Sequence, residues 1–202
     1  ENASAGAGEN RSMFMDIYAA GARNHMKRYG TTAQQFAKIS AKNSFHGSLN
    51  PRAQFREELS VEDVLNSPMI AEPLTRPMCS PIGDGAAAVV LVSERKAAQL
   101  GISNPVWIRS SSLHSGWDRA ADEDGTAELM VSESIGLCAK GEGGRLVDSG
   151  APRLGGRIPV NTSGGLLRKG HPVGATGIAQ IVELTEQLQG RSGARQVENA
   201  RV

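Results

Sequence analysis

The sequence predicts an α/β layered domain, in which buried strands alternate with amphipathic helices. Three observations carry this. The run Asp84-Gly85-Ala86-Ala87-Ala88-Val89-Val90-Leu91-Val92 passes from small to β-branched residues, the pattern of a strand buried on both faces. Residues 106–112, beginning Val106-Trp107-Ile108, form a second candidate strand. Between them Ser93-Glu94-Arg95-Lys96 opens a helix that Gly101 ends, so strand, helix and strand follow in order.

The remaining elements follow from the same rules. After a small-residue stretch from Ala3 to Gly8, residues 10–29 place Met13, Phe14, Ile17, Tyr18 and Ala20 at helical spacing, and Gly30 offers a stop. Thr31-Thr32 can cap a second helix running through Phe36, Ile39 and Ala41. Residues 43–59 are polar and interrupted by Asn50-Pro51, which predicts a loop with short helical pieces. Ser60-Val61-Glu62-Asp63 has capping-box spacing and predicts a short helix ending before Pro68. Met69 to Leu74 reads as a short extended segment. Thr126 to Met130 begins a helix that passes abruptly into Val131-Ser132-Glu133-Ser134-Ile135-Gly136-Leu137-Cys138. Lys140 to Gly156 reads as glycine-rich loop, and Ile158-Pro159-Val160-Asn161 enters a turn. Ala175 to Leu188 predicts a helix with Ile178, Ile181, Val182, Thr185 and Leu188 on one face.

Composition narrows the function classes. The 202 residues suffice for one sizeable core or two small ones, with 39% apolar and 21% charged residues. Lys and Arg number 22 against 21 acidic residues, a net charge of +1, so no global field favours nucleic acid or a membrane surface. Aromatic residues, at 4%, are too few for a base-stacking surface. No apolar run approaches the roughly 20 residues that span a bilayer. Cys79 and Cys138 lack a second Cys or a His at ligand spacing, which predicts neither a disulfide framework nor a metal site, and a reducing, cytoplasmic setting. Both are expected to be structural. Glu1-Asn2-Ala3-Ser4 has no signal-peptide character and reads as a chain already under way. A longer protein is therefore expected, an expectation that an intact mass near 21.3 kDa would oppose.

Glycine is the outlier, with 24 residues concentrated between Gly136 and Gly177. The informative stretch is Val160-Asn161-Thr162-Ser163-Gly164-Gly165-Leu166-Leu167-Arg168-Lys169-Gly170-His171-Pro172-Val173-Gly174-Ala175-Thr176-Gly177. A pair of glycine turns raises His171 on a peptide stiffened by Pro172, and a helix starting near Gly174-Ala175 puts its positive end close to the imidazole. A neutral imidazole there can take a proton from a thiol or help stabilise a thioester oxyanion. Gly164 and Gly165 would let an extended ligand lie against the backbone. The residues alone suit equally a turn whose histidine merely caps the helix.

Asn-x-x-Gly-Gly followed by Gly-His-Pro-x-Gly-Ala-Thr-Gly resembles the C-terminal active-site motif of the thiolase family. Gly136-Leu137-Cys138-Ala139-Lys140-Gly141-Glu142-Gly143-Gly144 resembles its sterol carrier protein x-type, or lipid-transfer-protein, branch. Cys79-Ser80-Pro81-Ile82-Gly83-Asp84-Gly85-Ala86-Ala87-Ala88 is similar to the segment entering the last strand of the family's N-terminal half. The resemblance implies a layered αβαβα fold of two similar βαβαβ halves, here incomplete, with residues 1–100 and 101–202 in the two halves. It implies that His171 activates a nucleophilic cysteine and helps bind the thioester oxygen. Ser80 then falls near the pantetheine arm, and Asn161, Gly164 and Gly165 line the same loop.

The implied activity is acyl transfer on 3-oxoacyl-CoA of lipid or sterol origin, with CoA or acyl-CoA as substrate, no cofactor, and a homodimeric enzyme. The same branch implies an alternative: a retro-aldolase acting on side-chain acyl-CoA with an OB-fold, zinc-ribbon partner protein. Tyr18 and Tyr29 are the only tyrosines here and neither lies in a catalytic motif. A third reading is a non-catalytic acyl-CoA-binding subunit. Departures accompany the matches: neither Cys79 nor Cys138 stands where the family's acylated cysteine lies. A helix, a strand and an oxyanion-hole motif of Asn-Glu or His-Asp type are expected to be missing between Met130 and Val131.

Four further groups carry weaker expectations. His46 reads as a surface residue of the loop over the substrate, with substrate contact as its alternative. His25, among Arg23, Lys27 and Arg28, reads as a solvated helix face that could instead meet CoA phosphates. His114 and Trp117 mark a loop near the active site or an oligomer contact. Asp118, Arg119, Asp122, Glu123 and Asp124 read as a stretch facing water.

Overall fold

Two capping boxes and a run of glycine stops set the helical framework. The computed structural model describes residues 13–111 and 127–201. Helix α1 (Met13–Tyr29) ends at Gly30, whose φ of +72° turns the chain while its N–H donates to Met26 O. Thr32 then caps α2 (Ala33–Ser48), its hydroxyl accepting from Gln35 N while the Gln35 side chain accepts from Thr32 N. Ser60 and Asp63 repeat the device at α3 (Val61–Leu65). Ser93 caps α4 (Glu94–Gln99), and Gly101 follows with φ +67°. These agree with the sequence reading.

The chain differs from it in several places. Helix α2 runs on to Ser48 instead of giving way to loop at residue 43. Its polar residues Asn43, Ser44 and His46 are at most 1% exposed, and each is hydrogen-bonded inside the protein, with only Asn43 Oδ1 unpartnered, so their polarity signals a buried network and not solvent. Met130 and Val131 lie within one uninterrupted helix, α5 (Ala127–Ser134), so the helix begun before Met130 is completed across that junction. The loop expected from Lys140 to Gly156 contains α6 (Gly143–Asp148). Helices α7 (Gly165–Lys169) and α8 (Val173–Leu188) complete the set.

Strand content is small. β1 (Met69–Ala71) and β2 (Leu74–Thr75) pair antiparallel, with Met69 opposite Thr75 and Ala71 opposite Leu74. Residues 84–92 and 106–111, expected as buried strands, form no strand; Val90 is 88% and Ile108 67% exposed. A strand is held by its neighbours' hydrogen bonds and packing, and among the described residues none lies beside them. The described residues form a mostly helical α/β arrangement with one two-stranded sheet.

The core gathers Ala19 and Ala22 of α1, Phe36 and Ile39 of α2, Ala71 and Leu74 of the hairpin, and Leu129 of α5. Cys79 packs against it. Helix α2 is the hub, contacting α3, α5, α6 and α7. Helix α8 forms as expected, but the side it buries is not the apolar one. Thr176 and Gln187 are its buried residues, while Ile181 and Leu184 are exposed. Gln187 donates to Thr162 Oγ1 and Arg195 O, and Arg195 pairs with Glu183 and Glu186. Periodicity locates two faces of a helix; the available partners choose between them.

Candidate active site

The site is assembled on the turn at residues 160–165, which three side chains of α2 and one of α5 hold from beneath. Lys42 Nζ donates to Val160 O at 2.9 Å and pairs with Glu128 at 2.5 Å. The other Glu128 oxygen accepts from Asn43 Nδ2 at 2.8 Å and from Asn161 Nδ2 at 2.7 Å. Burial pulls the Lys42 ammonium below its usual range, against the opposing pull of Glu128. His46 Nε2 accepts from Leu154 N at 2.9 Å, which places the ring proton on Nδ1, where it donates to Asn161 O at 3.1 Å. Burial, and then the Lys42 charge, push the His46 pKa down to about 4. His46 is therefore a neutral, wholly buried tether and not a surface or substrate-facing residue.

Asn161 sits in the left-handed region at φ +57°, a conformation its type tolerates, with its amide spent on Glu128. Gly164, at φ +98°, lies directly on α2: a Cβ there would stand 2.8 Å from Gly47 Cα. Gly165 opens α7 at φ +58°, with the Asn161 side chain about 3 Å from where its Cβ would be. The close approach these two glycines serve in the structure is to protein. Asn161, Gly164 and Gly165 are thus brought together as one rigid turn that launches α7 toward Gly170 and His171.

His171 follows at the corner between α7 and α8. Its Nδ1 lies 2.8 Å from Thr176 Oγ1, and that hydroxyl lies 3.1 Å from Pro172 O. No side chain caps α8, so its first turn keeps free N–H character at the positive end of a 16-residue helix. That turn and the strip from Gly83 to Ala87 line an open cavity of about 400 Å³, with Pro172, Val173, Gly174 and Ala175 on the helix side. Gly85 permits the two walls to meet, since a Cβ there would come 2.7 Å from Pro172 Cγ. Gln54 ties them together: it donates to Ile82 O at 3.3 Å and fills the space over Gly83 and Gly170. Ser80 is half-buried just ahead of this strip and does not line the cavity. A second cavity of about 390 Å³, between α2, residues 58–61 and residues 147–153, shares no residue with the first.

The cysteines behave as structural residues. Burial pushes the Cys79 thiol up to about 11, and its Sγ–H donates to Thr75 O at 3.5 Å. Cys138 is raised by burial and then by Glu133 and Glu142. A nucleophile needs the opposite shift. His25 is 3% exposed, bonded to Thr31 Oγ1 and Glu133, so it is not on a solvated face. Arg23 is engaged with Glu72 O and Arg28 stacks on Tyr29. His114, Trp117, Asp118, Arg119, Asp122, Glu123 and Asp124 lie outside the described residues. Among the described residues no group of three His, Cys, Asp or Glu could hold a metal, and no helix is long and apolar enough to cross a membrane.

Comparison with known proteins places this geometry in a family. Residues 119–202 match the family described as thiolase C-terminal domain-like. The chain is 40% identical to acetyl-CoA acetyltransferase of Methanothermobacter thermautotrophicus, over 94% of this chain and 58% of that protein. Residues 119–202, His171 among them, thus belong to the thiolase C-terminal domain-like family. The chain is also 36% identical to human sterol carrier protein 2, over 92% of its own length and 41% of the relative's. Against benzoylsuccinyl-CoA thiolase subunit BbsB of Thauera aromatica it is 36% identical, covering 90% of the chain and 56% of the relative. It thus spans between two-fifths and three-fifths of the relatives it matches. The acetyltransferase alignment extends over 224 positions although only 94% of 202 residues takes part, so that relative has residues without a counterpart within the matched stretch. The fold matches a solved Ltp2-ChsH2(DUF35) aldolase at 22% identity and a TM-score of 0.75, over 92% of this chain and 58% of that one.

Lys42, Asn43, Glu128 and Thr176 escaped the sequence reading as site-forming residues. Only Thr176 left a signal there, as part of the glycine-rich motif itself. The other three are scattered polar residues that only the packing unites.

Proposed function

We propose that the protein carrying this chain is a thiolase-type acyltransferase that cleaves or forms 3-oxoacyl-CoA thioesters of lipid or sterol origin. The observation that supports this best is His171, held on a glycine-bounded corner beside an uncapped helix end and a cavity walled by small residues. Its role is to take the proton from a thiol as that thiol attacks the thioester carbonyl. The helix end favours negative charge developing on the carbonyl oxygen. The names of the relatives supply the substrate class: an acetyl-CoA acetyltransferase, a sterol carrier protein and a thiolase. Ser80, Asn161, Gly164 and Gly165 belong to the same reading, as residues near the pantetheine arm or shaping the loop that meets it. Burial raises the thiols of both Cys79 and Cys138, and neither stands where the family's acylated cysteine lies, so this reading gives neither of them the acyl-carrying role. A homodimer in the cytoplasm, using CoA as substrate and no further cofactor, completes the reading.

The full-length His171→Ala protein should lose at least about 10²-fold in CoA-dependent thioester cleavage. Near-normal turnover would remove His171 from the mechanism. A second reading has a specific support in the fold shared with an aldolase solved together with a DUF35 protein. Under it the protein cuts a side-chain acyl-CoA by retro-aldol chemistry with an OB-fold partner. The two separate in one assay: thiolysis requires free CoA, whereas aldol cleavage releases an aldehyde or ketone without it.

A further inference from the structure

We propose that Thr176 is a positioning residue that sets the tautomer of His171, keeping the ring proton on Nδ1 and the lone pair on Nε2. This rests on the reading of His171 as the general base. Thr176 is 7% exposed, and its Oγ1 stands 2.8 Å from His171 Nδ1 and 3.1 Å from Pro172 O. A hydroxyl has one proton to give and two lone pairs, whereas a carbonyl can only accept. We assign the Thr176 proton to Pro172 O, which also accepts from Ala175 N and Thr176 N at 2.9 Å; Oγ1 then meets Nδ1 as an acceptor, and Nδ1 carries the hydrogen.

The chemistry follows from that placement. Nε2 then takes the proton released by a thiol, and the ring becomes an imidazolium with hydrogens on both nitrogens. The Nδ1–H bond to Thr176 stays in place and now holds a charged donor, which strengthens it. When Nε2 returns the proton, nothing at Thr176 has to rotate. The opposite tautomer already bears a hydrogen on Nε2; it could donate to a thioester oxygen but could not accept a thiol's proton. Thr176 lies in the first full turn of α8, so the helix that flanks the cavity also fixes the ring.

The test uses the full-length protein with ¹⁵N-labelled histidine, the His171 signals being assigned by their loss in His171→Ala. Wild type should show a protonated Nδ1 and an unprotonated Nε2. Thr176→Val should move the ring toward the Nε2–H form that a free imidazole prefers, and lower kcat at least about tenfold with KM little changed. Thr176→Ser, which restores the hydroxyl, should return the wild-type tautomer and a rate within about threefold of wild type. A wild-type ring protonated at Nε2 overturns the proposal, and that spectrum decides even where the Val variant does not fold. So would a Val variant that keeps both tautomer and rate, or a Ser variant as slow as Val. Failure of the functional reading is separate: near-normal turnover of His171→Ala ends that reading whatever the tautomer.

Discussion

Residues 42–46 and residues 82–92 invert what their compositions suggest. Lys42, Asn43, Ser44 and His46 are polar and none is more than 5% exposed, while Ile82 is fully exposed and Val90 and Leu91 stand largely free. The first stretch is buried because each polar side chain in it meets a partner, with only Asn43 Oδ1 left without one: Glu128 for Lys42 and Asn43 Nδ2, Leu59 N for Ser44, and Leu154 N and Asn161 O for His46. The second has apolar side chains but no neighbouring strand among the described residues. Burial is thus a property of the company a residue keeps. Hydrophobicity decides only what a residue gains once that company exists.

The sharpest way to break this contrast is at Glu128. Glu128→Ala leaves the Lys42 ammonium buried without its counter-charge and should cost about 3–5 kcal/mol in urea unfolding. A loss below about 1 kcal/mol would mean that water reaches Lys42 and that the cradle is loose.

His46 predicts a pH dependence of nearly that size. Its pKa in the folded protein, about 4, is below the 6.5 of an ordinary histidine, so the unfolded chain takes up the proton first on acidification. Its contribution is complete above about pH 6.5 and is lost as pH falls toward 4, by about 3 kcal/mol, with no further loss from this group below that. His46→Gln keeps a donor and an acceptor without titrating. Denaturation followed from pH 7 to 4 should therefore be flatter in that variant by this amount.

The smallest effect belongs to the other stretch. Val90→Ala should change the stability of this chain by no more than about 0.5 kcal/mol, because little area is lost at an exposed side chain. The same substitution in the full-length protein sharpens the comparison. A cost there of about 1 kcal/mol, as for a buried valine, would show that polypeptide beyond this chain covers residues 84–92.

Much of the local structure was legible beforehand because its causes are local. The boxes at Thr32–Gln35 and Ser60–Asp63, the stops at Gly30 and Gly101, and the cap at Ser93 each act within a few residues, and each stands as read. His171 stood out for the same reason, in an unbroken motif whose glycines and proline define its corner. The polar half of α2 was misread because polarity resembles solvent exposure until a partner far along the chain is known; Lys42 and Glu128 are 86 residues apart.

By itself, then, the sequence determined the caps, the turns, most helices and the family to which the glycine-rich motif belongs. Only the tertiary structure decided which face of α8 is buried, that His46 is a tether, that the 84–92 and 106–111 runs pair with no strand among the described residues, and that Thr176 reaches the ring of His171. The physical reason is range. Capping and turn preferences are satisfied by neighbours in sequence, whereas strands, buried charges and a histidine's second nitrogen wait on groups that only folding brings within about 3 Å.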